Sequence, residues 1–467
     1  MRIVILGGGP CGLGAAWRLQ ELGHADWALY EGGRGWGGLA GSEQDHEGFW
    51  WDYGGHVLFS HYPYFDRLMA DLLGDSDGWV SHRRESWIWI QNRFVAYPLQ
   101  QNIRHLPREV LWQCLQGLLD IHHVPSAAPP RHFDEWIEAN FGRGLAECFM
   151  RPYNRKVWAH PLEEMGWNWI GERIAPTNLA AVLRNLIFEK DERSWGPNAQ
   201  FRFPRLGGTG SIWRTLAARL PEDQRSLEKK AVKLDPAKRT LLFEDGTIDG
   251  YDRLISSIPL NGLLAMIDGN SSLPGGSGLI HTATHIVGLA LTGNPPEKLA
   301  DKCWMYFPED DCPFYRATVF SNYSPNNSPD AERFWSLLLE VSENTKPAGD
   351  VPPPEKMTDS VIQGAINTHL ITDRSSIHHT WHRRLPYGYP VPTVGRNAVL
   401  FPLLRQLENH GIYSRGRFGA WRYEVGNMDH SLMQGVECVN GLFDVGEELT
   451  LWYPAMVNAP HPSGSRR

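Results

Sequence analysis

Apolar and polar positions change period several times along the chain, and each change marks an element. Residues 2–6 (Arg-Ile-Val-Ile-Leu) are a short β-branched run that predicts a buried strand. A helical spacing runs from Leu13 to Leu22, and Trp27–Tyr30 predicts a second strand. Phe65, Leu68, Met69, Leu72 and Leu73 share one face of a helix between Tyr62 and Gly74. Residues 85–97 alternate as a hairpin that turns near Gln91-Asn92, and Pro98 closes it. From 107 to 190 the period is helical. Leu111, Leu115, Leu118 and Leu119 fit one face, a Pro/Ala linker covers 126–130, and helices start at Phe133, near Gly144 and at Asn178. Gly207-Gly208-Thr209-Gly210 leads into a helix ending at Leu220. Strands alternate over 229–257 around a Glu244-Asp245-Gly246-Thr247 turn, and several more fill 280–342. A Pro-rich loop (345–356), a helix Ser360–Leu370 and a last helix Asp429–Asn440 complete the pattern, with a polar, frayed tail after Pro460.

This order predicts an α/β protein. A Rossmann-like dinucleotide-binding domain is assembled from separated segments: 1–84, 198–260 and 400–467. A helical insertion domain covers 100–197. An antiparallel β-sheet substrate domain is built from 85–99 and 261–399.

The first strand and its turn carry the most specific chemistry. Gly7, Gly9 and Gly12 make G-x-G-x-x-G between a strand and a helix, with Pro10 inside the turn. The first glycine permits the turn, the second lets backbone approach a pyrophosphate, and the third lets helix pack on strand. The helix N-terminus offers free N–H groups to the phosphates. The second strand ends in Glu31, placed to accept from the hydroxyls of an adenine-linked ribose. The bland alternative, a structural Gly-rich turn, leaves strand, helix and acid together unexplained. Then come Gly37-Gly38-Leu39-Ala40 and Asp52-Tyr53-Gly54-Gly55-His56. This run resembles the FAD-binding family of amine oxidases, protoporphyrinogen oxidases and sugar mutases, where glycine pairs let backbone pass close to the flavin. Gly207–Gly210 reads either as a simple turn or as a second backbone contact with the cofactor.

Composition narrows the classes. The chain has 467 residues, room for two or three domains. Its net charge of −8 argues against nucleic acid as partner. Six cysteines, at 11, 114, 148, 303, 312 and 438, show no C-x-x-C and no zinc spacing, so they read as reduced thiols of a cytoplasmic protein. The first strand begins at once, which predicts no cleavable signal, and no apolar run is long enough to span a membrane. Twenty tryptophans cluster with Arg and Asn at several places, as in a stacking pocket. Neither G-x-S-x-G nor H-E-x-x-H occurs.

Four further stretches carry a closer resemblance: residues 54–62 (GGHVLFSHY), 150–158 (MRPYNRKVW), 313–318 (PFYRAT) and 415–427 (RGRFGAWRYEVGN). Trp195–Asn198, Lys302-Cys303-Trp304 and Gly388-Tyr389-Pro390 extend it. Nearly end to end the chain resembles the UDP-galactopyranose mutases, the eukaryotic branch above all. The resemblance implies FAD, active when reduced, held by Gly7, Gly9, Pro10, Gly12, Glu31, Gly38, Leu39, Gly55, His56, Ala231, Arg417, Gly426, Asn427, Met428 and Ser431. It implies Arg173 and Arg316 as a diphosphate clamp, a role that forked, permanently charged donors suit. Tyr306, Tyr389 and Tyr423 complete that cradle. Tyr97 and Phe149 sandwich the uracil, Gln100 and Asn154 meet its edge, and Trp158, Asn198 and Trp304 face the sugar. His56 lies against the flavin ring, with Arg84 and Ser86 nearby. Each has a bland reading as surface Arg, core Tyr or satisfied His. Met428 stands where the family carries a polar residue, and Tyr53 replaces a smaller one.

The activity implied is a ring contraction, UDP-galactopyranose to UDP-galactofuranose, with reduced flavin N5 as nucleophile and no net redox change. Arg173, Arg316 and His56 are then the catalytic set, and the substrate is a small-molecule nucleotide sugar. NADPH or NADH is the implied reductant. Gly142-x-Gly144 lacks a preceding strand, so a nicotinamide would dock in the substrate pocket. Two alternatives remain: a mutase of a related nucleotide sugar, and an FAD-dependent amine or protoporphyrinogen-type oxidase. Oligomeric state is open.

Overall fold

The computed structural model describes residues 1–123, 128–192, 199–267, 278–345 and 351–459. A five-stranded parallel sheet lies at its base, in the order Ile412–Ser414, Arg253–Ser256, Ile3–Leu6, Trp27–Tyr30, Arg225–Ser226. Ile3–Leu6 has a hydrogen-bonded strand on each side and is buried throughout, which is why it reads as an unbroken apolar run. The helices Pro10–Glu21 and Met428–Leu442 cross beside this sheet. Their approach needs glycine: a Cβ on Gly435 would lie 2.0 Å from the Cys11 carbonyl oxygen, and one on Gly14 2.6 Å from that of Leu432. Strands and helices 400 residues apart in sequence thus form one nucleotide-binding unit.

A seven-stranded sheet stands above it, in the order Ile377–Pro390, His281–Thr292, Phe334–Asn344, Arg316–Val319, Trp304–Tyr306, Ser86–Ile90, Arg93–Ala96. Its ladders are antiparallel except where Ser86–Ile90 runs parallel to Trp304–Tyr306. Gln91 and Asn92 turn the hairpin with φ of 51° and 62°, the left-handed pair that a two-residue turn requires.

The third unit is helical: Arg108–His123, Phe133–Leu145, a π turn Ala146–Met150, Arg151–Trp158 and Leu179–Ile187. Gly142 and Gly144 belong to a helix contact, not to a nucleotide turn. A Cβ on either would come within 2.3 Å of backbone in the helix Arg108–His123.

Sequence patterning misplaces some elements. The helix expected over Ser360–Leu370 spans Pro354–Asn367, because a proline needs no donor in a first turn and so starts this helix inside the Pro-rich loop. The strand Ile377–Pro390 and the helix Arg396–Asn409 were not predicted. That strand is the sheet edge, so it tolerates three histidines, two arginines and Pro386, and shows no alternation. Between Leu385 and Tyr389 it bulges out of register with Thr284 and Thr282, which turns its end toward the interior. Among the described residues no helix is long and apolar enough to cross a membrane.

Candidate functional site

All three units meet at one cavity of about 710 Å³. Its floor is the first turn. Gly7 has φ of +98°, and Gly12 packs so closely behind it that a Cβ would lie 1.9 Å from the Gly7 carbonyl oxygen. Gly12 therefore supports the turn and does not line the cavity. Gly9, Pro10, Gly38 and Leu39 do line it. A Cβ on Gly38 would reach 3.2 Å from the Gly9 Cα, so a slot of bare backbone runs between them. Glu31 accepts the Gly8 N–H on one carboxylate oxygen and the Gly33 N–H on the other, each at 2.6 Å, and keeps further lone pairs for hydroxyl donors. Slot, acid and helix N-terminus fit an adenine dinucleotide.

Beyond the floor lie Gly55, His56, Arg417, Gly426, Asn427, Met428 and Ser431. Burial pushes His56 down to about 4, against the opposing pull of Glu340, so its imidazole is neutral at working pH. The segment that carries His56 is pinned three times. Gly55 N–H donates to Glu340 Oε1 at 3.0 Å, Leu58 and Arg202 exchange both backbone hydrogen bonds, and Asp429 Oδ2 accepts the His61 N–H with the His61 Nδ1 2.7 Å away.

The arginines differ in how they are held. Arg316 pairs with Glu340, Nε to Oε1 at 2.6 Å and Nη2 to Oε2 at 2.7 Å, and Tyr315 donates to Glu340 at 2.8 Å. Burial opposes the Arg316 charge, yet Glu340 and the tyrosine hydroxyls hold it well above the ordinary range. Arg173 sits in the turn Gly171–Arg173, donates from Nη2 to the Glu424 carbonyl at 2.7 Å and lies over the Tyr423 ring. Its Nη1 is buried without a hydrogen-bond partner among the described residues. His56 Nδ1, Gln100 Oε1 and Thr284 Oγ1 share that condition, and all four residues line the cavity. Buried polar atoms are seldom left unpaired, and these four lie on residues around a cavity that would admit a ligand to them.

Tyr97, Phe149, Asn154, Trp158, Trp304, Tyr306, Tyr389 and Tyr423 also line it. Phe149 stacks on Tyr153 at 5.7 Å, and Tyr97 meets Tyr306 at 5.5 Å. Trp304 Nε1 donates to the Tyr306 hydroxyl at 2.6 Å. Trp158 is almost fully buried among Trp169, Tyr389 and Tyr423. Gln100 donates its Nε2 to the Ala175 carbonyl, which aims its spare acceptor at the site.

Three expectations fall outside. Ala231 starts a strand of a separate three-stranded sheet and packs against the core beside Tyr30 and Leu39, so it is not in the lining. Gly207–Gly210 is a packing turn: Asp52 Oδ1 accepts the Thr209 N–H at 3.0 Å, and a Cβ on Gly208 would lie 2.4 Å from that oxygen. Asn198 lies outside the described residues. Conversely, Glu340, Tyr315, Tyr153 and Phe59 line the cavity without having been assigned there. A lone acid inside the apolar run Ser336–Val341 was a signal for Glu340, since unpaired carboxylates are rarely buried.

The NAD(P)-binding Rossmann-like domain family matches residues 5–72. A solved structure of reduced UDP-galactopyranose mutase is 43% identical to this chain, with a TM-score of 0.93 over 98% of this chain and 99% of that one. A candidate protoporphyrinogen oxidase from Exiguobacterium sp. 255-15 shares the fold, at TM-score 0.71 and 17% identity over 94% of this chain and 98% of its own. Among curated proteins, 15-cis-phytoene desaturase of Glycine max is 35% identical over 83 residues, which is 18% of this chain and only 14% of the desaturase.

Proposed function

The chain belongs to the UDP-galactopyranose mutase family, and we propose that it interconverts UDP-galactopyranose and UDP-galactofuranose on reduced FAD. The observation that carries this reading is that one cavity holds both parts of the site. Its dinucleotide floor and its arginine–tyrosine wall are continuous, and four unpaired buried polar atoms lie on residues that line it beyond the floor. An amine-type oxidase would want an apolar chamber where this one has guanidinium groups.

Reduced FAD, once bound to the glycine slot and Glu31, supplies the nucleophile for substitution at the anomeric carbon. The chain itself supplies position and charge. Arg316 and Arg173 Nη1 face the diphosphate, and they matter most as its bond to the sugar breaks and charge grows there. The Tyr389 hydroxyl, 3.1 Å from that of Tyr315, extends that donor surface, while Tyr315 spends its own hydrogen on Glu340. Gln100 Oε1 suits the one N–H that a uracil edge presents. Neutral His56 orients the ring side and can accept or pass a proton at Nδ1. NADPH or NADH suits the reductant's role, because its pyrophosphate would meet the same arginines. Free cysteines fit a reducing compartment, and so a cytoplasmic location.

The test is to incubate dithionite-reduced protein with UDP-galactofuranose and resolve the products by chromatography. UDP-galactopyranose is expected, with no steady consumption of reductant. Absence of product, or NADPH oxidised in step with each sugar, would turn the reading toward an oxidase.

A further inference from the structure

Two thiols stand beside the cavity without taking part in it. Cys114 is fully buried on the helix Arg108–His123, and Cys148 is half-buried in the π turn Ala146–Met150. Their sulfurs are 3.7 Å apart, in contact and unbonded. Glycine contacts enforce this closeness: a Cβ on Gly144 would lie 2.3 Å from the Gln113 carbonyl oxygen, and one on Gly142 2.3 Å from that of Gly117. The backbones therefore touch on both sides of Cys114. Next to Cys148 come Phe149 and Met150, and both line the cavity.

We propose that Cys114 and Cys148 form a redox-modification site, a reversible disulfide that shifts the Phe149 wall and weakens nucleotide binding. A peroxide is the oxidant. The more exposed Cys148 sulfur attacks the O–O bond, which gives a sulfenic acid and one water. The Cys114 sulfur then displaces the sulfenic oxygen, which leaves as a second water while the S–S bond forms. Two thiols lose two electrons and two protons, and one hydrogen peroxide becomes two waters. The sulfurs must close from 3.7 Å to about 2.05 Å. The glycine contacts hold the helix Arg108–His123 in place, so the π turn gives way, and Phe149 moves with it. The Cys114 contact and burial raise the Cys148 thiol above its ordinary value, so the reaction runs slowly at neutral pH and faster in mild alkali.

The experiment treats the full-length flavoprotein with excess hydrogen peroxide, alkylates the remaining thiols and maps the digest by mass. A cross-linked peptide pair holding Cys114 and Cys148 is expected, together with reversal by dithiothreitol. UDP should bind the oxidised protein at least threefold more weakly. Cys148→Ser protein of normal flavin content should keep its UDP affinity through the same treatment, and Cys114→Ala serves if that variant loses flavin. Cysteines 114 and 148 recovered unlinked, under peroxide that oxidises exposed methionines, would overturn the site. Linked peptides with unchanged UDP affinity would overturn the coupling. The linkage is read by mass alone, and only the affinity rests on the proposed function. Linkage in a protein that never bound UDP would support the site and count against that function.

Discussion

The Arg316 guanidinium and the Glu340 carboxylate meet edge to edge, two parallel hydrogen bonds of 2.6 Å and 2.7 Å between strands that neighbour each other in the sheet. The pair spends two of the five arginine N–H groups and leaves the others for the cavity. Glu340 also holds Gly55, so one carboxylate ties the loop that carries His56 to Arg316.

Arg316→Ala should lower kcat/KM of the reduced enzyme by about two orders of magnitude, since hydrogen bonds to charge contribute roughly 1.5–3 kcal/mol each. Arg316→Lys should recover only part, because a point charge cannot copy the planar fork. Steady-state kinetics beside the flavin-to-protein ratio checks this.

Glu340→Ala should harm the fold as well as the chemistry. The Glu340 side chain is 3% exposed and that of Arg316 24%. Removing one partner of such a buried pair costs about 3 kcal/mol. A lower melting temperature and a reduced flavin content are expected together. Wild-type values for both would refute the tie.

For Arg173→Ala the outcome differs. Among the described residues its Nη1 has no hydrogen-bond partner to lose, Nη2 meets a carbonyl, and the guanidinium rests on the Tyr423 ring. UDP affinity should fall roughly tenfold or more, with a melting temperature close to wild type. Calorimetric titration with UDP measures the first, and a thermal scan the second.

Gly435→Ala should separate the two crossing helices. Its Cβ would lie 2.0 Å from the Cys11 carbonyl oxygen, which no rotamer can relieve. Overpacking of this kind costs about 1–3 kcal/mol. Flavin should be lost first, because Pro10 and Met428 both line the cavity. Full flavin occupancy in this variant would show that the helices can slide apart freely.

Glu437 predicts a pH dependence of stability. It is buried and bonded to Thr450, and burial pushes its carboxyl up to about 7. The folded state therefore holds a proton that the unfolded chain releases near 4.5. Its contribution is greatest below about pH 4.5, declines as pH rises toward 7 and stays lost above that. Glu437→Gln should flatten this part of the profile and raise stability at pH 8. Denaturant midpoints across pH 5–8 decide it.

The sequence made the nucleotide unit legible because its strand is buried on both faces and its turn requires glycine at fixed positions. The two arginines proposed for the diphosphate needed more: Arg173 sits in a short turn that no periodicity marks, and only the motif context singled it out. Glu340 was missed because its partner Arg316 is 24 residues away in sequence and only sheet register brings them together. The edge strand Ile377–Pro390 was missed for the reason that makes it useful. It has no alternating pattern, and its bulge delivers Tyr389 to the site.

The segment from Gly55 to His61 carries a consequence for how the enzyme comes into being. Its three holders are Glu340 in the large sheet, Arg202 in a separate strand pair and Asp429 at the head of the helix Met428–Leu442. These are the products of distant stretches of chain, and none can grip until its own neighbourhood has folded. A chain clipped before Met428 lacks the Asp429 grip on His61, so only a molecule with all three stretches in place holds this segment at every point.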